Sequence, residues 1–241
     1  MKIETFGDKS KPSFLAIHPM FTGGFFLEKL IEICKEDYYF IIPTMSGHYE
    51  NSEYVSMAEE ERTITEFLSQ NKIEKLSVLL GFSLGGNMAF DIYAKNLVLA
   101  DKVIIDSAPL FNFPKFIQKH FYKKYEHCLK KIKKGGVDVA KELNKCFNGM
   151  GEAQKEVAPT VSFNSLKNLV DSCFGINIPS MSTEKQSAIT FVYGSKDVAK
   201  LCQTRVKKYK KAHFVKLKGY RHCGLYQVDL KKYIEAVLNE I

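Results

Sequence analysis

Lys75-Leu76-Ser77-Val78-Leu79-Leu80-Gly81-Phe82-Ser83-Leu84-Gly85-Gly86-Asn87-Met88-Ala89-Phe90 is the stretch around which the chain is organised. A short apolar run rich in Leu and Val ends at Gly81, and a helix-forming segment begins just after Ser83. The pattern is strand, sharp turn, helix, with a serine at the tip. In a G-x-S-x-G turn the serine sits on strained backbone, and side chains two residues to either side must be absent or very small. Gly81 and Gly85 meet that requirement, and Gly86 and Ala89 let the helix lie close to the sheet. The competing reading is an ordinary glycine-rich turn. The string alone is weak, and the strand before it and the helix after it give it weight.

Working outward, 241 residues give room for one large α/β domain or a core with an inserted lobe. With 45% hydrophobic and 26% charged residues, the composition is that of an ordinary soluble globular protein. No apolar run reaches the roughly 18 residues of a membrane span, and the segment Met1–Asp8 lacks the apolar core of a secretory signal. Cys34, Cys128, Cys146, Cys173, Cys202 and Cys223 are scattered, without a C-x-x-C pair or zinc-like spacing. A reduced, cytoplasmic setting with no metal and no cofactor is expected.

The net charge of +8 is unevenly spread. Residues 1–110 hold 10 basic and 16 acidic side chains, whereas residues 111–241 hold 25 basic and 11 acidic ones. Lysine supplies the excess, because Arg62, Arg205 and Arg221 are the only arginines. Base reading leans on arginine forks, so a nucleic-acid partner is not expected. A lysine-rich face is usually solvated surface. Its functional alternative is attraction of an acidic acyl carrier or a phosphate-bearing thioester.

Along the chain, Ile3 to Phe6 reads as an edge strand and Ser13 to Ile17 as a clearer one. A helix follows with Phe26, Leu30, Ile31 and Ile33 on its apolar side, then a strand from Tyr38 to Ile42 that ends at Pro43. Residues 57–70 form an acidic amphipathic helix, the helix after Ser83 runs to about Lys95, and Val103 to Ile105 is a buried strand closed by Asp106-Ser107-Ala108-Pro109. From about Leu110 to Thr183 the strand pattern gives way to lysines interleaved with Phe111, Phe113, Phe116, Phe121, Tyr122 and Tyr125. Strand signals return at 188–193 and 213–217, and Leu225 to Leu238 reads as a closing helix. Alternating strands and helices predict a mostly parallel central sheet flanked by helices, with a helical lobe inserted over 111–183 between core segments 1–110 and 184–241.

A serine hydroxyl is a poor nucleophile near neutral pH. It needs a general base, and the base needs a third group to orient it. The chain supplies both on loops that follow strands. Asp197 comes after the 189–193 strand and His222 after the 213–217 strand. Ser, acid, His is the chain order of elbow-type hydrolases. Asp106 also lies just past a strand end and is the rival acid. His18, His48, His120, His127 and His213 read as structural or surface residues, and Cys223 as a small packing residue.

Taken together these motifs resemble the α/β-hydrolase superfamily, in its serine esterase and lipase-like members, over nearly the whole chain. Gly81-Phe82-Ser83-Leu84-Gly85-Gly86 resembles its nucleophile elbow. Tyr193-Gly194-Ser195-Lys196-Asp197 is similar to its acid-bearing turn, and Gly219-Tyr220-Arg221-His222 to its histidine loop. Pro43 through His48 resembles a turn of the family, with Thr44 where an aspartate is common. The resemblance implies the α/β-hydrolase fold with a helical cap, or lid, inserted after the sixth strand.

It also implies an oxyanion hole made by the backbone N–H of Leu84 and a second from the loop after the first strong strand. The family usually has His-Gly there. This chain has His18-Pro19, and proline carries no N–H, so Met20 is the expected donor, aimed inward by a cis His18–Pro19 bond. The expected reaction is hydrolysis of a small to medium acyl ester or thioester through an acyl-Ser83 intermediate. The same triad also serves acyltransferases, lyases and carbon–carbon hydrolases, and a ligand-binding member with little turnover stays open. A serine at the elbow argues against the dehalogenases and epoxide hydrolases of this fold, which place an aspartate there.

Overall fold

The computed structural model describes residues 1–239. Seven strands form one sheet: β1 (Lys2–Phe6), β2 (Ser13–Ile17), β3 (Tyr39–Thr44), β4 (Lys75–Phe82), β5 (Leu99–Asp106), β6 (Ile189–Gly194) and β7 (His213–Leu217). Their spatial order is β1-β3-β2-β4-β5-β6-β7. The edge strand β1 runs antiparallel to β3, and every other pairing is parallel. Parallel neighbours need crossovers, and helices supply them. They are α1 (Glu28–Cys34), α2 (Met57–Gln70) and α3 (Leu84–Ala94).

Between β5 and β6 the chain runs through α4 (Lys115–Lys134), α5 (Val139–Asn144), α6 (Gly151–Gln154), α7 (Phe163–Phe174) and α8 (Thr183–Ser187). Helix α9 (Gln203–Val206) joins β6 to β7, and α10 (Gly224–Val228) and α11 (Leu230–Tyr233) follow β7.

The apolar runs of β2, β4, β5 and β6 are near-continuous because both faces of these strands are covered. Alternate residues go to opposite sides. Leu15, Ile17, Leu79, Val103, Ile105 and Phe191 pack with α2, α3 and α7. Phe14, Ala16, Leu80, Phe82, Ile104 and Val192 pack with α1, α10 and α11. Phe82 sits among Phe26, Tyr226 and Tyr233 with ring centroids 5.4, 4.5 and 5.9 Å away. Removing that fully buried ring would cost on the order of 3–5 kcal/mol, at the position next to Ser83.

Helix α4 owes its place to an i, i+3, i+4, i+7 stripe of Tyr125, Cys128, Leu129 and Ile132, all buried, and its lysines face outward. Phe121 of α4 stacks on Phe174 of α7 at 4.4 Å. Gly135, at φ 81°, ends the helix in a backbone region that a side chain disfavours.

Several expectations differ from the structure. The helical stretch follows the fifth strand and not the sixth, because the twelve residues ahead of β2 supply the single strand β1 and a turn. Ile33 is 48% exposed. The two-turn helix α1 buries Leu30, Ile31 and Cys34, and Ile33 lies about 200° around from Ile31 at 3.6 residues per turn. The expected closing helix over 225–238 breaks at Asp229, which has φ −152° and whose carboxylate accepts from Lys232 N at 3.1 Å. This local cap outcompetes continuation of the helix. The acidic amphipathic helix α2 forms as expected and carries two carboxylates inward. Glu60 and Glu61 are buried, the first bonded to Ser46 N and the second paired with Lys95 at 2.9 Å.

Candidate active site

Ser83, Asp197, His222 and Met20 all follow the carboxyl ends of parallel strands, β4, β6, β7 and β2 respectively. That edge of an open parallel sheet is where helices and loops leave a crevice. All four line one cavity of about 340 Å³.

Ser83 has φ 53° and ψ −115°, a conformation that costs a non-glycine residue of order 1–3 kcal/mol. The neighbouring glycines explain how the turn closes. A Cβ on Gly81 would stand 2.3 Å from Gly85 O, and one on Gly85 would stand 2.4 Å from Ile17 O and 2.5 Å from His18 O. Backbone atoms cannot yield that space. The turn is held on both sides, with Ser83 N donating to Asp106 O at 2.8 Å and Asn87 N to Ser83 O at 3.0 Å. Leu84 opens α3, so its amide is one of the donors left free in a first helical turn.

His222 Nδ1 lies 3.0 Å from Asp197 Oδ1. A carboxylate only accepts, so Nδ1 carries the proton and Nε2 is left as an acceptor. The same Asp197 oxygen accepts from Ala199 N at 2.9 Å. Burial pushes the Asp197 carboxyl upward, but the adjacent imidazole and these hydrogen bonds hold it below the ordinary carboxylate value. Burial likewise works against a charged His222, yet Asp197, with a smaller contribution from Asp106, raises the imidazole above its ordinary value. Asp106 is buried and engaged elsewhere. Its Oδ1 accepts from Ser107 Oγ at 2.7 Å, and burial pushes its carboxyl up to about 7.

The loop after β2 is more tightly fixed than its sequence suggested. Every peptide bond among the described residues is trans, so the expected cis His18–Pro19 bond is not there. Another device holds Met20. The Pro19 carbonyl oxygen accepts from His18 Nδ1 at 2.8 Å, Thr22 Oγ1 at 2.8 Å and Thr22 N at 3.3 Å. In a trans peptide the N–H points opposite the C=O, so these donors fix which way the Met20 amide faces. His18 is orientated in turn, since Met45 N donates to its Nε2 at 3.0 Å. Burial holds the His18 imidazole at about 3, which keeps it neutral and structural.

The cavity walls are mostly aromatic, with Phe111, Phe113, Phe121, Tyr125, Phe147 and Phe174 contributing. Sequence reasoning singled out four of these rings but missed Gln154, from the short α6, which also lines the cavity. Nothing in its sequence surroundings marked it. Among the described residues no group of three or more His, Cys, Asp or Glu side chains is arranged to hold a metal ion, and no helix is long and apolar enough to cross a membrane. All six cysteines are free thiols.

No protein-family model matches the chain, and no curated protein matches its sequence. Solved structures do match its shape. One, from Desulfitobacterium hafniense and assigned to the alpha/beta hydrolase family, superposes with a TM-score of 0.76, at 13% identity and with 99% of each chain covered. The chain has the α/β-hydrolase fold. An esterase from Exiguobacterium antarcticum also reaches a TM-score of 0.76, at 14% identity over 98% of this chain and 93% of its own. An enol-lactonase from Burkholderia xenovorans gives 0.76 at 10% identity, over 99% and 95%. Identities this low carry the fold and leave the chemistry to the site.

Proposed function

We propose that this α/β-hydrolase-fold protein is a serine hydrolase that cleaves a carboxylic ester or thioester of a small to medium acyl group. The observation that carries the reading is the His222–Asp197 pair, on the same cavity as a serine held in strained elbow geometry. Asp197, and not Asp106, is the acid, because His222 bonds to Asp197 while Asp106 is bonded to Ser107.

In the first step His222 Nε2 takes the Ser83 proton as Oγ attacks the carbonyl carbon. Asp197 keeps the imidazole in the Nδ1–H tautomer and stabilises the imidazolium that forms. The Met20 and Leu84 amides hold the oxyanion. His222 then hands its proton to the departing alcohol or thiol, activates a water against the acyl-Ser83 ester, and the acid leaves. Residues 1–110 and 184–241 form the catalytic core in this reading. Residues 111–183 form a cap whose rings enclose the acyl chain.

One observation favours a thioester with an anionic leaving group. A second groove, bordered by Lys123 and Lys124 and by Lys131 and Lys145, the latter two paired with Glu142, shares Lys124 and Cys146 with the acyl cavity. A phosphate-bearing thiol or an acidic acyl carrier would lie along it. Added salt should then depress turnover of such a thioester steeply and that of a neutral ester little; equal salt responses would remove the idea. The hydrolase reading is tested with chromogenic acyl esters of increasing chain length, on wild type and Ser83→Ala. Turnover that vanishes in the variant supports it, and turnover that survives refutes it.

A further inference from the structure

The side chain of Gln154 is 2% exposed and lies on the wall of the acyl cavity. Its Nε2 donates to Met20 O at 2.9 Å. That contact settles the orientation of the amide, because a carbonyl oxygen needs a donor opposite it and only the NH₂ end can supply one. The other end, Oε1, is buried and has no hydrogen-bond partner among the described residues. A buried acceptor without a partner is rare in a folded protein and demands an explanation. Of the other polar groups on this wall, Asn148 donates to Lys196 O at 3.2 Å, and Asp197 Oδ1 holds His222 while its Oδ2 is also buried without a partner among the described residues, at the triad rather than along the acyl wall.

We propose that Gln154 Oε1 is the specificity subsite of this cavity, and that it accepts a hydrogen bond from a hydroxyl or amide N–H on the acyl group of the substrate. The inference rests on the hydrolase reading and narrows it: the preferred acyl chain is apolar enough to lie among phenylalanines but carries one donor. An aromatic pocket discriminates poorly between apolar chains of similar size. A buried acceptor left unpaired beside the acyl chain discriminates strongly, because only an acyl group that carries a donor satisfies it. Gln154 has a second, positioning role. By holding Met20 O it ties the 111–183 segment to the loop whose amide faces the reacting carbonyl.

The two roles separate by substitution. Gln154→Met removes both the acceptor and the Met20 contact, whereas Gln154→Glu keeps an acceptor and loses the donor to Met20 O. The substrates are 4-nitrophenyl hexanoates with a hydroxyl at carbon 2 or 3, or an acetamido N–H at carbon 6. Each is paired with the isostere in which methyl or N-methyl replaces the donor. Wild type should prefer the donor-bearing ester at one of these positions by about 10-fold or more in kcat/KM. Gln154→Met should abolish that ratio. Gln154→Glu should retain the ratio while lowering kcat on both members of the pair.

No preference at any position in wild type, or a preference that survives in Gln154→Met, would overturn the proposal. A failure of the hydrolase reading looks different, since no ester is then turned over at a rate that depends on Ser83. The subsite is still tested in that case by calorimetric binding of the matching methyl ketones to Ser83→Ala. The donor-bearing ketone should bind about 10-fold tighter, and equal dissociation constants would overturn the subsite independently of catalysis.

Discussion

On the proposed mechanism, replacing Asp197 by asparagine should slow ester hydrolysis by three to four orders of magnitude, and the same replacement at Asp106 should slow it less than about tenfold. The two carboxyls flank one imidazole but relate to it differently. Asp197 Oδ1 holds both His222 Nδ1 and Ala199 N, at 3.0 and 2.9 Å. An asparagine that keeps its oxygen in that position preserves both bonds and removes only the charge. At an effective dielectric of about 20, unit charges about 4 Å apart attract by about 4 kcal/mol. That attraction belongs to the imidazolium of the transition state and is absent for the neutral resting ring, so nearly all of it appears in the barrier. Each 1.36 kcal/mol is a factor of ten, so roughly three decades are lost. If the amide instead turns its NH₂ toward the ring, the wrong tautomer is selected and the loss approaches about 10⁴.

Asp106 bonds to Ser107 and reaches His222 only as a distant charge that helps raise the imidazole value. Its asparagine variant should therefore keep most of kcat and move the acid limb of the pH profile to lower pH. The assay is steady-state hydrolysis of a chromogenic ester over a pH series, with thermal unfolding to show that each variant is folded. A loss of three decades in Asp106→Asn beside a near-normal Asp197→Asn would refute the reasoning.

Four further outcomes are expected. Activity needs neutral His222, whose value is raised, so kcat/KM should fall as the pH drops through a midpoint above 6.5; a midpoint below 6.5 would contradict the Asp197–His222 coupling. Stability runs the other way for Asp106, whose folded value is raised from 3.8 to about 7 by burial. Its contribution is full below pH 3.8 and is lost as the pH rises through about 7, so the melting temperature of Asp106→Asn should vary less between pH 4 and 7 than that of wild type. Gly85→Ala should prevent folding or destabilise by several kcal/mol, since its Cβ would stand 2.4 Å from Ile17 O; a folded variant within about 1 kcal/mol of wild type in a urea titration would show that the elbow is looser than described. Thr22→Val removes the hydroxyl that holds Pro19 O. It should lower kcat by about tenfold with little change in KM, while a change confined to KM would place Thr22 outside the oxyanion loop's support.

What the sequence disclosed and what it hid have separate physical causes. The elbow was legible because glycine at 81 and 85 is a steric requirement, and steric requirements leave fixed spacings. The sheet was legible because strands covered on both faces need unbroken apolar runs. The acid loop showed because it follows such a run, and the histidine loop because it follows the shorter, largely exposed strand at 213–217. Hidden features depend on contacts between distant parts of the chain. Gln154 reaches Met20 across 134 residues of sequence, from a four-residue helix that presents no periodicity. The Pro19 carbonyl is held locally by His18 and Thr22, yet a loop of mixed residues carries no pattern that announces it, and a cis bond took its place in the expectation. The break at Asp229 was missed because the apolar periodicity of 225–238 continues across it, whereas a cap is decided by one carboxylate. Choosing between Asp106 and Asp197 needed a distance, since both follow strand ends.

The most direct measurement is the mass of the protein quenched within its first turnovers of a 4-nitrophenyl ester, followed by peptide mapping of any adduct. An acyl group on the peptide that contains Ser83, absent from Ser83→Ala, is the predicted result. Ester turnover with no adduct at Ser83, or with the acyl group carried by another residue, would contradict the account at its centre.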